Sequence, residues 1–198
     1  MRKLVSLKTA TQYLLTLAVM ASVPSAALAQ TGALEAGVDY NYVRTNAPTG
    51  DCGCFSLQGG NGWASFNFTR HLAIVGEVAA QHASDISGSG ADLTLTSYLF
   101  GPRYTLIHAG RFKPFAQLLL GGAHASGSLA PGNSGLSGSA NSFALVAGGG
   151  LDVGLTRHIA LRLFEADYYL TRFDNGTNDH QNNLRIAAGL LLRFGGRK

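Results

Sequence analysis

The sequence is poor in charge, in cysteine and in long apolar runs, and each shortage removes a class of protein. Charged residues make up 13% of the 198 positions. Three of the 15 Lys and Arg residues, Arg2, Lys3 and Lys8, fall in the first 29 positions, which hold none of the 11 acids. That leaves 12 bases against 11 acids, a net charge of +1, over residues 30–198. A nearly neutral chain without a basic patch offers no footing for nucleic acid. The two cysteines stand as Cys52-Gly53-Cys54, without CxxC spacing or clustered histidines, so no metal site and no cofactor are expected. Beyond residue 30 no stretch joins a sustained 3.6-residue period to capping residues. The 26 glycines weigh further against helices, since each costs about 1 kcal/mol in a helix interior.

What is present begins with an export signal. The basic start is followed by an apolar stretch over 13–23 and by the small-x-small site Ala27-Leu28-Ala29. The stretch is shorter than the about 20 residues of a membrane helix, so cleavage after Ala29 is expected. The expected organisation is a secretory signal over 1–29 and one domain over 30–198.

The rest of the chain alternates with a period of two, in eight segments long enough to cross a bilayer as tilted strands. The first, near 33–44, sets Leu34, Ala36, Val38, Tyr40 and Tyr42 against Glu35, Gly37, Asp39 and Asn41. The second, near 60–69, sets Ala64, Phe66 and Phe68 against Trp63, Ser65 and Asn67. The third, near 72–82, sets Leu72, Ile74, Val78 and Ala80 against Glu77 and Gln81. In the fourth, 93–104, Leu95 and Leu99 share parity with Arg103, and the opposing Tyr98, Phe100 and Tyr104 are assigned to lipid. The fifth, 112–124, sets Ala116, Leu118 and Leu120 against Gln117. The sixth, 142–155, sets Leu145, Ala147 and Leu151 against Gly148, Gly150 and Asp152. The eighth, 182–198, sets Leu184, Ile186, Leu190 and Phe194 against Arg185 and Arg193. In the seventh, 159–173, Arg162 has one parity and Glu165 and Asp167 the other. A β-bulge near Leu163 or Phe164 would bring all three to one side; otherwise Arg162 sits at the rim.

Short links at 69–72, 105–111 and 155–158 alternate with longer polar ones at 45–59, 83–92, 125–141 and 173–182. Short periplasmic turns alternating with longer external loops are the pattern of an outer-membrane barrel. The expected fold is therefore an all-β, eight-stranded antiparallel up-and-down transmembrane barrel. A soluble barrel with the apolar row inside is the competing fold.

An arginine facing lipid costs about 2 to 4 kcal/mol at the bilayer midplane, so the charged rows point inward. The expected lumen network is Glu35, Asp39, Glu77, Gln81, Arg103, Gln117, Asp152, Arg162, Glu165, Asp167, Arg185 and Arg193. Eight strands leave just enough width for side chains, and mixed charges in that space are expected to pair.

The "GPRY" of 101–104, the "FAQLLLGGAH" of 115–124, the "LRLFEADY" of 161–168 and the final "NNLRIAAGLLLRFG" resemble small OmpA/OmpX-type outer-membrane β-barrel proteins, over residues 31–195. The resemblance implies insertion among outer-membrane lipids as a monomer. It also implies delivery by the outer-membrane assembly machinery, which reads a terminal aromatic, here Phe194, followed in this chain by Gly195, Gly196, Arg197 and Lys198.

Several features compete for a chemical role. Cys52 and Cys54 are read as a disulfide staple or paired thiols in the first external loop, with redox activity and metal binding as the lesser alternatives. His-Ala-Ser occurs at 82–84 and 124–126, and the His-x-Ser spacing resembles that of outer-membrane lipid A deacylases, a resemblance that would imply a lipid A-modifying enzyme with a glutamate beside the pair; neither copy has a Glu shortly downstream, so no catalytic residue is assigned. Trp63, Tyr40, Tyr42, Tyr168 and Tyr169 are read as interfacial girdles rather than ligand contacts. The resulting expectation is a structural or surface-interaction protein of the envelope, not an enzyme, whose external loop partner the sequence does not identify. The alternative is a narrow pore, to be separated by conductance and by neutralising Glu77 or Arg185.

Overall fold

The computed structural model describes residues 34–45, 55–86, 90–106, 110–128, 138–174 and 179–195. The expected signal over 1–29 and the Cys52, Cys54 pair lie outside them. Eight strands follow one another: β1 (Leu34–Arg44), β2 (Ser56–Asn67), β3 (Leu72–Ile86), β4 (Ala91–Thr105), β5 (Phe112–Gly127), β6 (Gly138–Gly154), β7 (Ile159–Thr171) and β8 (Gln181–Phe194). Each pairs antiparallel with the next, and β8 returns to β1, with Leu34 opposite Phe194 and Arg44 opposite Leu184. The sheet closes into a barrel with no free edge.

Alternation decides which side chains enter. Along β1, Asp39, Asn41 and Val43 are buried while Val38 and Tyr40 are exposed; along β8, Asn183, Arg185, Ala187 and Leu191 are buried while Leu184, Ile186, Leu190 and Leu192 are exposed. The aromatics of β4, Tyr98, Phe100 and Tyr104, face out opposite buried Leu95, Leu99 and Arg103. An exterior of Val, Leu, Ile, Phe and Tyr around a charged interior inverts a soluble barrel and matches hydrocarbon as the surrounding solvent.

The bulge in β7 falls at Leu163 and Phe164. Arg162 lies opposite Gly189 and Glu165 opposite Ala187, so two residues of β7, Leu163 and Phe164, face one of β8, and both are exposed. The cause is energetic: without the bulge either Arg162 or the Glu165 and Asp167 pair would meet lipid.

Two expectations about the outer end need correction. The strands run further than the alternation suggested, with β2 starting at Ser56, β3 ending at Ile86 and β6 starting at Gly138. The β3–β4 link is therefore the short segment 87–90 rather than a long loop. Asp85 (φ 51°) and Gly90 (φ 70°) supply the left-handed turns, and Asp85 Oδ1 accepts a hydrogen bond from the Gly90 amide at 3.0 Å.

Candidate functional site: the charged barrel interior

The interior is layered. Toward the end where the longer links lie, apolar side chains predominate: Val43, Leu57, Ala83, Ile86, Leu95, Ala125 and Phe173 are all buried, with the polar Asn41, Gln81, Ser97 and Thr171 buried between them and the charges or beside them. The middle carries the charges, organised around two arginines with no solvent-accessible surface.

Arg162 on β7 donates to Asp152 on β6 through Nε (3.0 Å) and Nη2 (3.4 Å), and through Nη1 to Asp39 on β1 (3.2 Å) and to Glu165 (2.7 Å). Arg185 on β8 donates to Asp167 through Nε (3.0 Å) and Nη2 (2.8 Å), to Glu165 Oε1 (3.1 Å), and to both carboxylate oxygens of Glu77 on β3. Glu165 thus joins the two hubs. Asn61 adds a donor to Glu77 at 2.9 Å. Each guanidinium uses its planar fork on several carboxylates at once, the geometry in which arginine surpasses lysine.

Arg103 is held differently. Its Nε and Nη2 donate to Gln117 Oε1 at 3.1 and 2.8 Å, and Gln117 passes a hydrogen bond on to Glu165 at 3.1 Å. The guanidinium carbons of Arg103 and Arg162 each stand 4.4 Å from the Trp63 ring and 4.6 Å from the Phe115 ring. Two cations share two aromatic faces, an attraction that grows when water is excluded. Trp63 Nε1 also donates to Asp39 Oδ2 at 2.7 Å.

Where β1 begins and β8 ends, Arg193 meets Glu35 at 2.9 Å, partly exposed, and Gln81 is buried on β3 four positions beyond Glu77. All twelve residues of the expected network line the interior: the hubs gather nine of them, Glu35 and Arg193 form a separate pair, and Gln81 joins neither. Phe194 faces outward at the end of β8.

Two aromatics read as girdle residues are instead internal. Trp63 is buried in the ion-pair layer, and Tyr169 is fully buried because the bulge shifts the parity of everything after Phe164. The inward parity of Trp63 was visible in the sequence; its role as a cation platform was not. Tyr40 and Tyr168 do face outward, hydrogen-bonded to Gln58 and Asn182.

The His-Ala-Ser pairs turn outward. His82 Nδ1 pairs with Thr94 Oγ1 at 2.9 Å and His124 Nδ1 with Asn141 Oδ1 at 2.8 Å, so neither ring is oriented by a carboxylate. Among the described residues no group of His, Cys, Asp and Glu is arranged to hold a metal ion.

A closed, even-stranded barrel with an apolar exterior and a charge-paired interior defines an integral membrane β-barrel. The chain belongs to the outer membrane protein beta-barrel domain family, whose model matches residues 14–194, and its location is the outer membrane. Among solved structures it is similar to Ail, the attachment invasion locus protein of Yersinia pestis, at 18% identity and a TM-score of 0.56, over 83% of this chain and 100% of that one. It is also similar to Neisserial surface protein A at 18% identity and 0.59, over 82% and 99%. The outer membrane protein OprG of Pseudomonas aeruginosa follows at 11% identity and 0.55, over 84% and 97%. These likenesses concern the fold. No curated protein matches the chain.

Proposed function

We propose that this barrel is a closed structural scaffold that carries surface-interacting external links and does not conduct solutes. The observation that supports this most is the pair of hubs: Arg162 and Arg185 fill the middle of the interior with no accessible surface, beneath an apolar layer. An ion crossing it would have to displace buried salt bridges and then pass a mainly apolar constriction. Phe194 is the residue on which we place contact with the assembly machinery, and the folded unit is a monomer.

The likeness to Ail includes a structure of that protein in complex with the heparin analogue sucrose octasulfate. The outer end of this chain favours a different partner. Its links and strand ends carry Asp51, Asp85, Asp92, Asp174 and Asp179 against Arg44 and Arg172, so a polyanion would meet net repulsion. A neutral or cationic surface is the better complement. Single-channel recording of inserted barrel tests the closed reading: silence is expected, and steady ion-selective openings would replace it with the pore.

A further inference from the structure

We infer that the periplasmic end of the barrel binds the headgroups of anionic phospholipids in the inner leaflet, through a ring of three arginines, Arg70, Arg111 and Arg157. The three turns on the end where β1 begins and β8 ends each present one of them: Arg70 between β2 and β3, Arg111 between β4 and β5, Arg157 between β6 and β7. In a ring of eight strands the first and third turns are diametrically opposed and the second lies midway between them. All three arginines are exposed, and none makes an ion pair among the described residues.

The arginines are displayed by a rigid frame. The first and third turns are copies, Thr69-Arg70-His71 and Thr156-Arg157-His158. Thr69 Oγ1 accepts from the amides of His71 (3.2 Å) and Leu72 (2.9 Å), and Thr156 Oγ1 from those of His158 (3.2 Å) and Ile159 (3.0 Å). Each turn is then stitched to the following strand pair, with the carbonyls of His71, Arg111 and His158 accepting from the amides of Thr105, Gly154 and Arg193 at 2.7, 2.8 and 2.8 Å. Holding the backbone in advance lowers the ordering cost of gripping a ligand.

Depth identifies the ligand. The first residue of each turn is apolar and exposed: Phe68 at 57%, Leu106 at 53% and Leu155 at 56%. Three such side chains, each at the start of a turn on this end of the barrel, mark the edge of the hydrocarbon, so arginines a few residues further on stand at the height of the phosphates. The turns hold no acidic residue to compete, whereas the acids of the links gather at the opposite end. A guanidinium facing a phosphate forms paired, charge-assisted hydrogen bonds.

The experiment is native mass spectrometry of the full barrel released from nanodiscs of equal phosphatidylglycerol and phosphatidylcholine. The wild type is expected to retain phosphatidylglycerol preferentially, and each Arg→Gln substitution to reduce that enrichment about fivefold. R70Q, R111Q and R157Q combined should abolish it, with folding verified by heat-dependent gel mobility; the single variants carry the test if the triple variant does not fold. R44Q with R172Q, at the other end, should leave the enrichment intact. Equal retention of the two lipids by the wild type, enrichment that survives the turn substitutions, or loss with R44Q and R172Q alone would each overturn the inference.

Discussion

Arg162 and Asp39 are 123 positions apart in sequence and 3.2 Å apart in the barrel, on strands separated by β8. Asp39 Oδ2 accepts at once from this arginine and from the Trp63 indole, so β1, β2 and β7 converge on one oxygen.

R162M would leave Asp39, Asp152 and Glu165 facing one another without their shared cation. Removing one partner of a buried ion pair costs about 3 to 5 kcal/mol. Urea unfolding from lipid vesicles should register a loss of that order, and a change below about 1 kcal/mol would mean that the hub does not hold the interior together.

Glu165 touches both arginines, at 2.7 Å and 3.1 Å, so the hubs are expected to be coupled. In a double-mutant cycle, R162M and R185M should miss additivity by more than about 0.5 kcal/mol. In an E165Q background the coupling should shrink. Additive effects in both backgrounds would show that the hubs are independent.

Gly37 faces the indole of Trp63, and a Cβ there would stand 2.7 Å from two ring carbons. G37A therefore has to displace the single tryptophan of the chain, at a cost of about 1 to 3 kcal/mol. Its fluorescence reports the move directly: altered emission is expected in the folded variant, and an unchanged spectrum would refute the close fit.

The bulge makes an unusual deletion harmless. Without Leu163, β7 regains strict alternation, with Arg162 and Glu165 still inside and Phe164 outside, and its ladders to β6 and β8 become regular. The single deletion should keep heat-dependent gel mobility. Deleting Leu163 and Phe164 together sets the two charges on opposite faces and should abolish it.

In the β7–β8 link, the His180 ring bonded to Asp179 at 2.8 Å holds that carboxyl below the usual aspartate range, and Arg172 nearby acts in the same direction. Because the folded value lies below the unfolded one, the contact favours the folded form above the ordinary aspartate range, and that contribution is lost as pH falls through the lowered value. NMR titration of Asp179 should show the depression in the wild type and its partial relief in H180A; equal midpoints would count against the contact.

The barrel was legible in the sequence because lipid leaves a chain few options: charges at alternate positions across eight segments have to face inward, and the conflict between Arg162 and Glu165 marks the bulge. The inner layers were less legible. An apolar side chain suits both lipid and a dry interior, so Val43, Leu57 and Leu95 gave no warning of the layer they form. Trp63 and Tyr169 were misplaced for a related reason, since an aromatic ring serves equally as an interfacial anchor and as a partner for a buried cation. The shortness of the β3–β4 link was hidden because Ser, Gly and Asp suit links of any length.

The shared oxygen of Asp39 also bears on the order in which the barrel is completed. A chain that has joined β6, β7 and β8 gives Arg162 its Asp152 and Glu165 partners, and Arg185 its Glu165 and Asp167 partners, but leaves Arg162 without its bond to Asp39 and Arg185 without its fork on Glu77. Glu77 arrives with β3 and Asp39 with β1, from the early part of the chain. The seam between β1 and β8 therefore closes the hydrogen-bond ring and completes the bonding of Arg162 in a single event, so a half-built barrel is an unfavourable resting point and completion is cooperative.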